Sequence, residues 1–318
     1  MNWRRPLQMA DRVNLNDLVQ RVFDRRPELE ALQPVVVKEL VHHEIMWSLD
    51  KAGLLRGLTF HGGTALRLCY GASRLSEDID FTGGPDFTRT DVDGISGVVQ
   101  SHLTDRYGLE VSVKDPKPRK EADQPVAVDT WQISVVTDPG RPHLPRQRIK
   151  IDIATMEART RDAKAIRQNY SVLPSGLGDL LVPTMSKDEI MANKLVSLPA
   201  SAHQGNIRHR DIWDIAWLAQ NGAELNPEWV ASRAAEFRLE DYPDRLDMMR
   251  RALPDHVASG RFREEMSRFL PRDVVSRTLD RPEFVHYLAN TVNEHLAKAL
   301  AAFAGPKGTG EDDYDVKM

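Results

Sequence analysis

The chain has 318 residues, 41% of them hydrophobic and 28% charged, with a formal net charge of −4. That balance is ordinary for a soluble globular protein, with room for one large domain or two ordinary ones, and it carries none of the overall basic character that announces a nucleic-acid binder. A single cysteine, Cys69, excludes an internal disulfide and fits a reducing, cytoplasmic setting, and no run of about 18 apolar residues is present to span a membrane.

The opening stretch MNWRRPLQMADRVNL lacks the apolar segment of a signal peptide. From Pro34 to Asp50, Val36, Val37, Leu40, Val41, Ile45 and Leu49 recur at helical spacing and predict a helix that Gly53 and Gly57 close. GLTF then enters a short strand, Gly62-Gly63 turns the chain, and TALRLCYG forms a short helix ending at Gly71; within it Cys69, between Leu68 and Tyr70, is expected to be a small buried residue. SEDIDFTGG follows as a strand with a glycine stop. A helix is expected over Asp91 to Arg106. Three strands come next, LEVSV at 109–113, TWQISVV at 130–136 and RIKIDIA at 148–154, separated by KDPKPRKEADQP and TDPGRPHLPRQ, which read as loops. After Pro183 helical patterns dominate to about Phe303, interrupted at Pro199, Pro227, Pro243, Pro254, Pro271 and Pro282. The expected organisation is an α+β domain with N-terminal helices over 1–182, a helical domain over 183–304 and a disordered, Gly-rich acidic tail over 305–318.

Strand geometry decides how the acids near residue 80 are read. Successive side chains alternate between faces, so in Glu77-Asp78-Ile79-Asp80-Phe81 the two aspartates share one face while Ile79 and Phe81 take the other. In Ile149-Lys150-Ile151-Asp152-Ile153 the isoleucines face one way and Asp152 the other. Three carboxylates on one sheet surface repel one another and need a cation or protonation. A divalent metal supplies that cation, and Mg²⁺ takes a few carboxylates together with substrate phosphates, which suits two-metal phosphoryl chemistry. The bland alternative is a solvated sheet face. Asp-x-Asp recurs at Asp91/Asp93 and Asp313/Asp315, so spacing alone does not settle the matter; the strand setting and the third acid do the discriminating.

The turn Gly62-Gly63-Thr64 lets the backbone approach a phosphate closely, and the helix start after it offers free N–H groups. Thr64 is placed to cap that helix and reach an anion. Arg74 is either a phosphate partner or a surface residue, and His61 is expected to be structural. Further on, Ser186 and Glu189 form a capping box for a helix whose apolar face carries Ile190, Leu195 and Leu198. Lys194 points along that same face. In RHRDIWDIAWLAQNG, Asp211 aligns with Ile215 and Leu218 and is expected to be the acid that enters the buried side. Either Lys194 and Asp211 form a helix-to-helix ion pair or they belong to a site. Basic clusters stand at Arg208-His209-Arg210, Lys117 to Lys120, Arg146 to Lys150, and Arg159 to Arg161; solvated faces otherwise, they become grips for a polyanion if the sheet face performs phosphoryl chemistry.

Taken together, these stretches resemble the nucleotidyltransferase toxins of the AbiEii type. Gly62-Gly63-Thr64-Ala65-Leu66 with Arg74-Leu75-Ser76-Glu77-Asp78-Ile79-Asp80-Phe81 carries the first motif; the Asp152 strand, the Lys194-Leu195 helix and the Arg210-Asp211-x-x-Asp214 helix match the remaining ones in order, over about residues 55 to 220. The resemblance implies a polymerase-β-like nucleotidyltransferase fold, with a mixed sheet, flanking helices and a helical C-terminal part. It implies a toxin of a toxin–antitoxin system, with a cognate antitoxin as partner, that transfers nucleotides from an NTP to RNA at the tRNA 3′ end and so blocks aminoacylation. Carried over by residue, Asp78 and Asp80 hold Mg²⁺ with Asp152 as the third acid, which helps deprotonate the acceptor hydroxyl. Gly62, Gly63 and Thr64, with Arg74 and Ser76, contact the NTP phosphates; Lys194 meets the triphosphate or departing pyrophosphate; Asp211 orients Lys194 or another group of the site. Two other readings stay open: transfer to a small molecule, as in antibiotic resistance, or to protein, and a non-catalytic relative that binds a partner protein through the helical half.

Overall fold

A computed structural model describes residues 12–118, 125–137, 146–173 and 180–303. The expected tail over 305–318, Arg119 and Lys120, the turn residues 138–145 and the first eleven residues lie outside the described residues.

Helix α1 (Leu15–Arg25) starts at Asn14, whose side chain accepts the Asn16 and Asp17 amides. A 3₁₀ turn (Pro27–Leu32) leads into α2 (Gln33–Lys51), which buries the expected stripe of Val36, Leu40, Val41, Ile45 and Leu49. Seven strands form one mixed sheet among the described residues: β1 (Thr59–His61), β2 (Ile79–Thr82), β3 (Val111–Lys114), β4 (Val128–Val135), β5 (Gln147–Ala154), β6 (Asp162–Ala165) and β7 (Leu181–Thr184), in the order β3-β4-β5-β2-β1-β7-β6. The pairs β2–β5 and β1–β7 are parallel and the others antiparallel. Phe60, Ile79, Phe81, Trp131, Ile133 and the three isoleucines of β5 are all buried. They share one face of the sheet, where α2 and α4 (Ile95–Tyr107) pack. The opposite face carries Asp80 and Asp152.

Several local expectations are corrected. β2 begins only at Ile79, so Asp78 stands just before the strand rather than within it. The helix expected over Asp91 to Arg106 is α4 with a later start: Arg89–Val92 is a 3₁₀ turn opened by a Thr88/Asp91 capping box, and Gly94, at φ 91°, separates it from α4. β6 and β7 were not anticipated: β6 (DAKA) is largely exposed and carries no apolar alternation, and β7 contains Pro183.

Helix α3 (Gly62–Ala65) continues into a π turn (Leu66–Tyr70) that ends at Gly71. The helices after the sheet are α5 (Lys187–His203), α6 (His209–Gln220), α7 (Pro227–Glu236), α8 (Tyr242–Ala258), α9 (Gly260–Ser267), α10 (Arg272–Arg277) and α11 (Pro282–Ala301). Pro227, Pro243, Pro271 and Pro282 stand at helix starts, as their missing N–H dictates. Pro199 and Pro254, by contrast, lie inside α5 and α8 without interrupting them. Both helices are anchored by fully buried leucines beside the proline, Leu198 and Leu253; core packing outweighs the lost backbone bond. α5 packs on α6, α7 and α8, and α11 closes the bundle against α6 and α8. No helix among the described residues is long and apolar enough to cross a membrane.

Candidate active site

Strand register assembles the acids. Asp80 on β2 stands beside Asp152 on parallel β5, His61 on β1 stands on the other side of Asp80, and Thr130 on β4 stands beyond Asp152. Partners at equivalent positions share a face, so His61, Asp80, Asp152 and Thr130 form a row across four neighbouring strands. Thr130 hydrogen-bonds the Asp152 carboxylate, yet the buried Oδ1 of Asp152 has no partner. Asp78 joins the row from the loop before β2, where its Oδ1 accepts the Lys150 amide at 3.0 Å.

The row is short of positive charge. Burial, with the neighbouring Asp78 carboxylate adding to it, pushes Asp80 up from 3.8 to about 6. Burial and the charges of Asp80 and Asp78 likewise raise Asp152. His61 does not relieve this: burial keeps its ring neutral, holding it down to about 4, and its Nε2 has no partner. Among the described residues no three His, Cys, Asp or Glu side chains stand as a ready-made cage for a metal ion. The orphaned Asp152 oxygen and the raised acids nonetheless suit a cation that draws its remaining oxygen ligands from a substrate.

The glycine pair has a packing reason. At Gly62, φ is 75°, and an added Cβ would stand closer to Asp80 Oδ2 than real contacts allow; at Gly63 a Cβ would collide with the Arg74 guanidinium and press on Ser76 Oγ at 3.0 Å. Thr64 corrects the expectation made for it. It is fully buried, it does not cap α3, and its hydroxyl donates to the Asp78 carbonyl, fixing the acid-bearing loop. Arg74 is not a surface residue. It is buried, donates Nε and Nη2 to Asp214 at 2.8 and 2.6 Å, and gives Nη1 to the Leu75 carbonyl at 2.8 Å.

Opposite the row stands the α5–α6 pair. Lys194 Nζ is 2.7 Å from both Asp211 Oδ1 and Asp214 Oδ2. Asp211 also accepts Ser197 Oγ at 2.6 Å and pairs with Arg208 Nε at 2.7 Å. Burial alone would raise both acids, but Lys194 and Arg208 hold Asp211, and Arg74 and Lys194 hold Asp214, well below the usual carboxylate range. Asp214, expected to be the more peripheral of the two, is thus equally buried and joins Lys194 to Arg74. Its signal was present in the sequence: three residues after Asp211, it falls on the same helix face.

Two cavities meet here. A polar one of about 310 Å³ is lined by Asp78, Asp80, Asp152, Ser76, Lys194 and Arg208, with Arg74, Arg210 and Gly63 completing its walls. An apolar one of about 520 Å³ runs between β4 and α5, with Val126, Val128, Met156, Ile190, Phe237 and Leu239 in its walls. They share Gly63, Asp80, Lys194, Arg208 and Asp211. Of the basic clusters, Arg208 and Arg210 reach the polar cavity, whereas His209 turns inward to Glu265 at 2.7 Å, Arg146 pairs with Glu110, and Arg159 is tied to Glu236 at 2.6 Å. Arg210 is steadied by the Phe269 ring, 4.9 Å from its guanidinium, and by Glu77 at 3.5 Å.

Comparison with known proteins agrees with this geometry. The family model described as nucleotidyl transferase AbiEii toxin, type IV toxin–antitoxin system, matches residues 44–290, well over half the chain. The fold is similar to MenT4, a nucleotidyltransferase toxin from Mycobacterium tuberculosis, with a TM-score of 0.51 at 15% identity over 91% of this chain and 90% of that one. JHP933 from Helicobacter pylori aligns over 85% of this chain and 95% of its own at 18% identity and a TM-score of 0.45. No curated protein matches the sequence.

Proposed function

The chain belongs to the AbiEii family of nucleotidyltransferase toxins, and from that premise we propose that it transfers a nucleotide from a Mg²⁺-bound NTP to the 3′ end of an RNA, tRNA being the favoured acceptor, in the cytoplasm and under the control of a cognate antitoxin. The observation that carries the assignment is the register that sets Asp80 beside Asp152, with Asp78 at the strand entry, facing Lys194 and Arg208 across one polar cavity.

In this reading Asp78, Asp80 and Asp152 hold the metal, which when bound neutralises charge on the phosphate oxygens. The NTP lies with its triphosphate in the polar cavity and its base toward the apolar one, and the helices from α5 onward complete the cleft. Lys194 spends two of its three ammonium hydrogens on Asp211 and Asp214, and the third has no partner among the described residues; it meets the triphosphate. Ser76 and the Gly63 backbone line the phosphate side, while Thr64 and Arg74 act from behind it by holding Asp78 and Asp214. The acceptor 3′-oxygen forms a bond to the α-phosphorus, the bond to the β-phosphate breaks, and pyrophosphate leaves with that electron pair. Asp152 Oδ1, buried and unpartnered, takes the acceptor proton; its raised affinity for protons suits a base.

The test is incubation with Mg²⁺, each labelled NTP and total tRNA. Wild-type protein labels RNA and Asp80→Ala does not. Equal labelling by both would remove the catalytic assignment, and label appearing on small molecules or protein in place of RNA would overturn the acceptor.

A further inference from the structure

We infer that Arg208 is a catalytic residue of this centre, whose guanidinium fork grips the pyrophosphate end of the bound triphosphate. The inference rests on the placement of the triphosphate just proposed. Four cations line the polar cavity: Arg74, Lys194, Arg208 and Arg210. Three are already engaged. Arg74 is doubly bonded to Asp214 and its side chain is 3% exposed. Lys194, at 9%, sits between two carboxylates. Arg210 lies on Phe269 and against Glu77.

Arg208 differs from all three. Its side chain is 51% exposed, and among the described residues its single ion pair is from Nε to Asp211. That contact aims the guanidinium without using its fork, so the four Nη hydrogens are left free. A planar fork of this kind matches two phosphate oxygens at once, which an ammonium group does not. The position is equally specific. Arg208 precedes the first residue of α6 and lines both cavities, beside Asp80. The three sheet carboxylates of the polar cavity repel an incoming triphosphate, and Arg208 is the cation there whose whole Nη fork is unpaired, where Lys194 has a single hydrogen to spare and Arg210 already turns Nη1 to Glu77. When the bond between the α-phosphorus and the β-phosphate oxygen breaks, the electron pair goes to pyrophosphate, and the Nη hydrogens donate to the oxygens that gain charge.

Magnesium pyrophosphate is the probe, titrated by calorimetry into wild-type protein, Arg208→Lys, Arg208→Ala and Arg208→Gln, with transfer kinetics measured beside it. Gln retains an amide that reaches Asp211 but has no fork, so it separates a grip on phosphate from a merely structural hold on Asp211. The expected result is a weakening of pyrophosphate affinity by roughly 10- to 100-fold in both Ala and Gln, as for loss of hydrogen bonds to a charged group, and a partial loss in Lys. The fall in kcat follows the same order. If Arg208→Gln binds pyrophosphate like wild type, the inference fails while the proposed function stands. If wild-type protein binds neither magnesium pyrophosphate nor any Mg²⁺-NTP, the placement of the triphosphate fails first.

Discussion

Two groups of acids face each other across this cleft, half-buried on the sheet and buried on the helices, and they are opposites. On the sheet, Asp80 and Asp152 stand together short of cations, pushed toward protonation, with one oxygen left unpartnered. On the helices, Asp211 and Asp214 are saturated by Lys194, Arg208, Arg74 and Ser197 and are held firmly ionised. Burial acts the same way on both groups; the partners make the difference. An under-compensated cluster persists only where a ligand completes it, whereas a fully compensated one is scaffold. On the proposed function the sheet acids would be the half that binds, and the helix acids the half that aims Lys194.

The largest effect separates the halves by readout. Asp80→Ala is expected to lower transfer about a thousandfold or more, since on the proposed function it removes an acid that would hold the metal, while the protein stays folded. Asp214→Ala is expected to act on the fold: it leaves the Arg74 guanidinium without its buried counter-charge, while Lys194 keeps Asp211, and lowers unfolding free energy by about 3–5 kcal/mol, measured by urea denaturation. If Asp214→Ala were as stable as wild type, the helix acids would not be scaffold.

The next effect has the opposite sign. Asp80 ionises at about 6 in the folded chain against 3.8 ordinarily. A raised acid is favourable to folding below its unfolded value, and that advantage is lost as pH rises through about 6, so the ionised Asp80 destabilises the protein at neutral pH. Asp80→Asn should then raise stability at pH 7.5, on the order of 1–3 kcal/mol, and the gain should vanish as pH falls from 6 toward 4. The same titration predicts that Mg²⁺-NTP binding weakens below about pH 6, where the carboxyl protonates. A gain in stability that does not vary with pH would show that charge is not its source.

How far this was legible in the sequence follows the range of the interactions. The α2 stripe, the Ser186 cap and the placing of Asp80 on the face opposite Ile79 and Phe81 are local patterns, and they read directly. The neighbour relation of Asp80 and Asp152 depends on parallel pairing of strands about seventy residues apart, which no local period encodes. The resemblance supplied it in advance. Gly62-Gly63 was read toward phosphate, yet its crowded partners are Asp80 and Arg74 from later in the chain. Asp214 was undervalued because its partner Arg74 lies 140 residues away.

A smaller effect sharpens the comparison on the glycine side. Gly62→Ala meets two obstacles, a positive φ that an L side chain adopts at a penalty of about 1 kcal/mol and a Cβ inside the space of Asp80 Oδ2. The backbone penalty lowers stability modestly, while displacement of the carboxylate should lower transfer far more.

The smallest effect tests whether the helix acids are as redundant as their crowded shell suggests. Ser197→Ala removes the 2.6 Å hydrogen bond to Asp211 Oδ2. That oxygen keeps Arg208, and Oδ1 keeps Lys194, so the acid remains ionised and in place. The expected result is about 1 kcal/mol of lost stability, the ordinary net worth of one hydrogen bond, with transfer within a few-fold of wild type. The sheet side has no such reserve: Asp152 holds an oxygen that nothing in the described protein satisfies. A large fall in transfer by Ser197→Ala, without a matching loss of stability, would mean that Asp211 is poised by its hydroxyl partner as delicately as the sheet acids are poised by their mutual repulsion, and the division between a binding half and a scaffolding half would no longer hold.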